Sequence, residues 1–276
     1  MSQTLPSIAI IGAGAMGGAI LRGLVQPGVE VSGGIRVTNR TVAKADAITL
    51  AGVESLALER DAEANRVAVR GAGIVLIGVK PAMVPDTLRD IADDLEQDAV
   101  VISLAAGVTI ATMESIVPNA VLRSMPNTPA VVGRAVTGLA AGTRSSAEDL
   151  ALGRAVFETV GTVIEVDEAQ IDPLGTISGS GPAWVYFFIE RLTETAIGLG
   201  FTASQAKVMV EETWLGSMEY LAASDRTPEE LRREVTSPKG TTERAIGVLT
   251  EADLTALFNR AVAAGLVRAK ELAEGK

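Results

Sequence analysis

Ile8-Ala9-Ile10-Ile11-Gly12-Ala13-Gly14-Ala15-Met16-Gly17 decides how this chain folds. Four apolar residues run without alternation into Gly-x-Gly-x-x-Gly, and a helical pattern from Met16 to Leu24 follows at once. A continuous apolar run marks a strand covered on both faces, as in a parallel sheet. Gly12 suits a tight turn, Gly14 leaves room for a ligand against the backbone, and Gly17 allows the helix to pack closely on the strand. The helix start then faces an anion with unpaired N–H groups and its positive dipole end.

Further short apolar runs follow: Ile35 to Thr38, Gly73 to Val79, Val100 to Leu104, Ala120 to Leu122, Val136 to Ala140 and Val163 to Val166. Helical patterns lie between them at Ala43 to Ala51, Val84 to Leu95 and Ala147 to Thr159. This strand–helix alternation predicts an α/β, doubly wound (Rossmann-type), mostly parallel sheet over 1–166. Beyond Val166 no strand is expected, and eight of the nine aromatic residues fall there, so 167–276 reads as an all-helical domain with its own core. Thr202-Ala203-Ser204-Gln205 and Thr227-Pro228-Glu229-Glu230 fit capping boxes, with Thr250-Glu251-Ala252-Asp253 a weaker version.

The end of the second strand discriminates between dinucleotides. An NAD site places Asp or Glu there for the ribose 2′-hydroxyl. Val37-Thr38-Asn39-Arg40 offers no carboxylate, a guanidinium for a 2′-phosphate, and two polar side chains beside it. NADPH is therefore the expected cofactor, with NADH as an alternative donor. Val79-Lys80-Pro81 and Ser103-Leu104-Ala105-Ala106-Gly107 end later strands and should also face the cofactor. Taken alone, Lys80 reads equally as a surface charge.

Composition removes whole chemistries. With no cysteine and no histidine, thiol nucleophiles, disulfides, His-based triads and most zinc sites are excluded. A net charge of −10 without basic clusters argues against nucleic acid as a partner. Met1 to Ile11 lacks a basic leader, and no window reaches the roughly 20 apolar residues of a membrane span. No membrane partner and a cytoplasmic location are the expectation.

Two segments of the second half are rich in small polar residues: Ser178-Gly179-Ser180-Gly181-Pro182-Ala183 and Val235-Thr236-Ser237-Pro238-Lys239-Gly240-Thr241-Thr242. Each reads as a loop feeding a helix start, suited to a carboxylate or simply to capping. Together with Gly-x-Gly-x-Met-Gly, Val79-Lys80-Pro81 and Met125-Pro126-Asn127-Thr128-Pro129, they stand in an order that resembles the pyrroline-5-carboxylate reductase family over nearly the whole chain.

That resemblance implies NAD(P)H-dependent reduction of a cyclic imine to proline. It implies cofactor contacts from Gly12, Ala13, Gly14, Ala15, Met16, Gly17, Thr38, Asn39, Arg40, Asn65, Val79, Lys80 and Ala106. It places Gly240, Thr241 and Thr242 on the substrate carboxylate, Glu168 near the substrate, and Thr242 beside the ring nitrogen as the catalytic hydrogen-bond partner. It also implies a homodimer through the helical domain, with decamers in many members. Lys239 departs from the family, standing where a glycine is usual, and would be strained if that position needs a positive φ. Trp184 and Ala82 depart as well. A β-hydroxyacid dehydrogenase, an imine reductase acting on other rings and a non-catalytic NADP sensor are the competing readings, although no lysine lies between Lys80 and Lys207 to serve the first.

Overall fold

The computed structural model describes residues 4–273; Met1 to Gln3, part of the start read above, lie outside them, as do residues 274–276. The first strands and helices are β1 (Ile8–Ile11), α1 (Ala15–Leu24), β2 (Ile35–Asn39), α2 (Val42–Asp46), β3 (Val53–Ala57), α3 (Ala64–Val69), β4 (Ile74–Ile77) and α4 (Val84–Ile91). They continue with β5 (Val100–Ser103), α5 (Ile110–Glu114), β6 (Ala120–Met125), β7 (Ala135–Ala141), α6 (Ala147–Glu158) and β8 (Gly161–Glu165). Helices α7 (Glu168–Leu174), α8 (Gly181–Gly198), α9 (Ala203–Ala222), α10 (Pro228–Glu234), α11 (Thr241–Glu251) and α12 (Leu254–Ala273) complete the chain.

The eight strands form one sheet in the order β3-β2-β1-β4-β5-β6-β7-β8. All neighbours are parallel except β6 and β7, which pair antiparallel from Leu122 opposite Ala141 to Met125 opposite Gly138. The apolar strands are buried on both faces, as their lack of alternation predicts. Ile8, Ile10, Ile74, Leu76, Val100 and Ile102 face one core, with Ile20 and Leu24 of α1 and Phe157 of α6. Their neighbours Ala9, Ile11, Val75, Ile77 and Val101 face the other, with Val69 of α3 and Leu88 of α4.

Three elements lie outside the expected set. β3 was hidden because Val-Glu-Ser-Leu-Ala at a sheet edge carries no continuous apolar run. α3 and α5, six and five residues long, are too short to show a period. The helix expected over Ala43 to Ala51 stops at Asp46, since the chain must turn through Gly52 (φ 75°) to enter β3.

Contacts divide the chain into two compact units: one runs to Ser180 and resumes at Gly265, and the other is Gly181–Ala264. The helical segment expected from 167 does begin with α7, capped reciprocally by Asp167 and Gln170. By packing, however, α7 belongs with the sheet. Ile171 is buried in its second core, and a Cβ at Gly138 of β7 would meet Leu174 at 2.9 Å and Ile171 at 3.4 Å.

The loop expected over residues 178–183 is instead helical. A π-helical stretch, Gly175–Gly179, follows α7 directly and runs into α8, with the Ser180 N–H donating to the Gly175 carbonyl. This segment therefore has no open helix start for a carboxylate. The boxes at Thr202 and Thr227 form as expected. The one expected at Thr250 does not: that residue lies in the last turn of α11, and Asp253 caps α12 through the Ala256 N–H at 3.1 Å.

Within Gly181–Ala264, Phe188 packs against Trp214 and Phe258, but the first two are only half-buried and Phe258 is 38 % exposed, so these aromatics do not form the closed core expected of this half. Tyr186 and Phe187 on α8 and Leu215 and Met218 on α9 are each more than half exposed. No described helix is long and apolar enough to cross a membrane.

Candidate functional site

A doubly wound sheet binds ligands where its strand order reverses, outside the carboxyl ends of the strands. Here the reversal falls between β1 and β4. A cavity of about 450 Å³ opens there, lined by the turn after β1 (Gly12, Gly14), the end of β2 (Thr38, Asn39, Arg40), and Gly78, Val79 and Lys80 after β4. Asn65 of α3 closes one side.

The turn after β1 is held by its own backbone. The Gly12 and Ala13 N–H groups both donate to the Thr38 carbonyl at 3.1 Å, tying the glycine turn to β2. Gly12 sits at φ 91°, and a Cβ there would meet the Gly78 carbonyl group and Val79 at 3.1 Å. Gly14 differs: no protein atom lies within 4 Å of where its Cβ would stand. That gap, beside an α1 start without a side-chain cap, is room for a ligand backbone or phosphate. Gly17 serves packing, since its Cβ would lie 2.8 Å from the Gly12 oxygen.

Charge at the cavity is one-sided. Arg40, Lys44 and Lys80 line it, and no carboxylate does. Among the described residues none of these three side chains has an ion pair or a hydrogen-bond partner. Asn39 is 5 % exposed and its Nδ2 has no partner, an expense that a buried amide bears only where something else accepts its proton. Free cations, an orphaned amide donor and an open glycine fit a dinucleotide phosphate.

The structure gathers Gly12, Gly14, Thr38, Asn39, Arg40, Asn65, Val79 and Lys80 of the expected cofactor residues around this cavity. Ala13 and Ala15 line an adjoining one of about 520 Å³, together with Gly14 and Lys44. Met16, Gly17 and Ala106 line neither. Ala106 is exposed in the loop after β5. Thr38 lines the cavity but is 1 % exposed, and its hydroxyl donates to Asn65 Oδ1 at 2.8 Å, so its one side-chain donor is committed to orienting Asn65. Sequence reading missed Thr41, Lys44, Leu58, Gly78, Met83 and Thr87 in the lining. Only Lys44, a cation four residues past Arg40, carried any signal.

Glu168 is partly exposed, but its carboxylate is engaged. Its Oε1 accepts the Ile110 N–H at 2.7 Å and faces the Arg123 guanidinium at 3.4 Å. Arg123 is 3 % exposed and also pairs with Asp172 at 2.5 Å.

The Val235 to Thr242 segment folds as a loop into the start of α11, as expected. Gly240 occupies the cap position in extended backbone, and no side chain caps the helix. A Cβ on Gly240 would lie 2.5 Å from Ser237 Oγ, so only glycine fits. Lys239 adopts φ 61°, the strained conformation that the family glycine would avoid, with its N–H donating to Glu243 at 2.8 Å. Thr241 is exposed and Thr242 half-buried.

Fold and donor set together define the class: an NAD(P)-dependent oxidoreductase. Residues 7–107 match the family model described as NADP oxidoreductase, coenzyme F420-dependent, and residues 168–272 match that of pyrroline-5-carboxylate reductase dimerisation. Pyrroline-5-carboxylate reductase of Methanosarcina acetivorans is 34 % identical, over 96 % of this chain and 97 % of its own. That of Pseudomonas aeruginosa is 35 % identical over 99 % and 98 %. Among solved structures, a pyrroline-5-carboxylate reductase from Coxiella burnetii superposes with a TM-score of 0.88 at 37 % identity, covering 96 % of this chain and 97 % of that one. The Plasmodium falciparum pyrroline carboxylate reductase with NADP bound gives 0.81 at 25 %, covering 99 % of each. The chain belongs to the pyrroline-5-carboxylate reductase family, and it carries that family's dimerisation segment.

Proposed function

We propose that this chain reduces Δ1-pyrroline-5-carboxylate to L-proline with NADPH, accepting NADH less well. The observation that carries the reading is the cavity at the strand reversal, where three unpartnered cations and the Asn39 amide converge without a carboxylate, in a chain similar end to end to reductases of this name. The bound cofactor supplies a hydride to the C=N carbon. Gly14 and the start of α1 receive its pyrophosphate; Asn39 and Arg40 take the adenosine side; Val79, Lys80 and Ala106 approach the nicotinamide end.

Thr241 and Thr242 hold the substrate carboxylate through the first N–H groups of α11, which no side chain occupies, and Gly240 at the cap lets the carboxylate reach them. The Thr242 hydroxyl stands by the ring nitrogen as a hydrogen-bond partner. As the C=N electron pair moves to nitrogen, that atom takes its proton from water, so no strong side-chain acid is needed. A chain without histidine is consistent with this. Glu168 enters as a brace, holding the Ile110 N–H and Arg123.

The chain works as a homodimer through the helical segment, whose exposed Phe187, Leu215 and Met218 supply apolar surface for a second copy. Decamers built from such dimers belong to the same reading. A cysteine-free chain gains nothing from an oxidising compartment, which supports a cytoplasmic setting. The test is NADPH oxidation with pyrroline-5-carboxylate, proline identified as product and NADH run in parallel. Nucleotide binding without oxidation of this substrate would overturn the assignment of the reaction while leaving the cofactor site standing.

A further inference from the structure

We infer that Lys44 is a specificity-determining residue that holds the 2′-phosphate of NADPH together with Arg40 and Asn39. The inference rests on the NADPH reading above and adds a residue that the strand-end motif does not contain. A 2′-phosphate brings about −1.5 to −2 charges and three strong acceptor oxygens. Of the three residues at the end of β2, Thr38 has its hydroxyl committed to Asn65, which leaves one guanidinium and one amide. That set has donors enough but only one positive charge for a phosphate dianion.

Lys44 supplies the deficit. It lines the same cavity as Asn39 and Arg40. It is placed firmly: the Thr41 hydroxyl accepts its backbone N–H at 3.4 Å, and Ala45 beside it is buried. Its ammonium has no partner among the described residues, and the nearby acids are spoken for. Asp46 pairs with Arg60 at 2.8 Å, and Glu59 accepts the Val42 N–H at 2.9 Å. The orphaned Asn39 Nδ2, almost fully buried and lining the same space, independently marks a missing acceptor there. Two cations and one amide donor thus meet where a dianion is expected.

The test needs no turnover. Adenosine 2′,5′-bisphosphate and adenosine 5′-monophosphate are titrated calorimetrically into wild type, Lys44→Gln and Lys44→Arg. Lys44 is exposed, so the variants should fold, and unchanged melting temperatures check this. Lys44→Gln should lose about tenfold in affinity for the bisphosphate, the loss expected for one charge-assisted contact, and nothing for the monophosphate. Lys44→Arg should recover most of it. An unchanged bisphosphate affinity, or an equal loss for both nucleotides, overturns the role of Lys44; if NADPH still supports reduction in those variants, the reductase reading stands. Wild type that binds neither nucleotide overturns both.

Discussion

Asn127 joins two distant segments: its side-chain N–H donates to the Ser178 carbonyl at 2.9 Å, while its Oδ1 accepts the Val136 N–H at 2.9 Å. The residue is buried in the turn after β6, and it fixes that turn both to β7 and to the π-helical stretch Gly175–Gly179. Removal of the side chain strands a donor and an acceptor in partly buried surroundings. Each such loss costs about 1–3 kcal/mol. Asn127→Ala should therefore lower unfolding free energy by about 2–4 kcal/mol in urea titration. A loss below that of an ordinary surface substitution would remove the clamp from the account.

Two glycines of the Gly-x-Gly-x-x-Gly segment should separate by function. Gly17→Ala drives a methyl to 2.8 Å from the Gly12 oxygen and should destabilise the fold by about 1–3 kcal/mol. Gly14→Ala meets no protein atom within 4 Å, so stability should move by less than about 0.5 kcal/mol. NADPH affinity in that variant should nonetheless fall about tenfold or more, because the methyl enters the space left for the nucleotide. Melting curves alongside calorimetric NADPH titration distinguish the two, and a stable Gly14→Ala that binds normally would sink the pyrophosphate role.

Thr242→Ala should reduce kcat by tenfold or more, on the order expected for one hydrogen bond at the reacting centre, with NADPH affinity unchanged. Among the described residues the Thr242 hydroxyl has no hydrogen-bond partner for its loss to disturb. Wild-type turnover would remove Thr242 from the mechanism.

Lys239→Gly should stabilise the protein slightly. A left-handed conformation costs a lysine about 1–2 kcal/mol relative to glycine, and glycine's freer unfolded chain returns roughly 0.5–1 kcal/mol of that. The expected net gain is about 0.5–1 kcal/mol in chemical denaturation. Destabilisation would mean that the lysine side chain has a partner in the assembled protein.

Glu230 should titrate below the ordinary carboxylate range. The Thr227 N–H donates to it at 2.7 Å and the Thr227 hydroxyl at 2.9 Å, and the nearby Arg226 charge adds to both. A depressed folded-state value means that the cap stabilises α10 fully above the unfolded-state value and loses its effect as pH falls through the folded one. Carboxyl NMR titration of Glu230 checks the direction, and Thr227→Ala should move it back up.

Most of the sheet was legible because each inner strand is a bare apolar run, and such runs have few other uses. β3 and the short α3 and α5 were not, because edge strands and single-turn helices owe their form to neighbours more than to pattern. The glycine turn and Arg40 were legible from spacing alone. Thr38 was not: a hydroxyl at the right position looks like a ligand until Asn65, 27 residues on, is seen to claim it. Lys44 hid for the opposite reason, as one lysine on a short helix resembles any solvated charge. The stretch over 178–183 misled because glycine, serine and proline ordinarily break helices, whereas here the widened π turn absorbs them.

The sheet ends in β3 on one side and β8 on the other, and among the described residues neither has a strand paired along its outer edge. An open edge invites a second strand and, beyond it, uncontrolled growth. Each edge here carries a carboxylate, Glu54 on β3 and Glu165 on β8, the latter paired with Arg154, and two copies of a chain at −10 repel one another. Self-repulsion of this kind discourages ribbon-like stacking in a crowded solution.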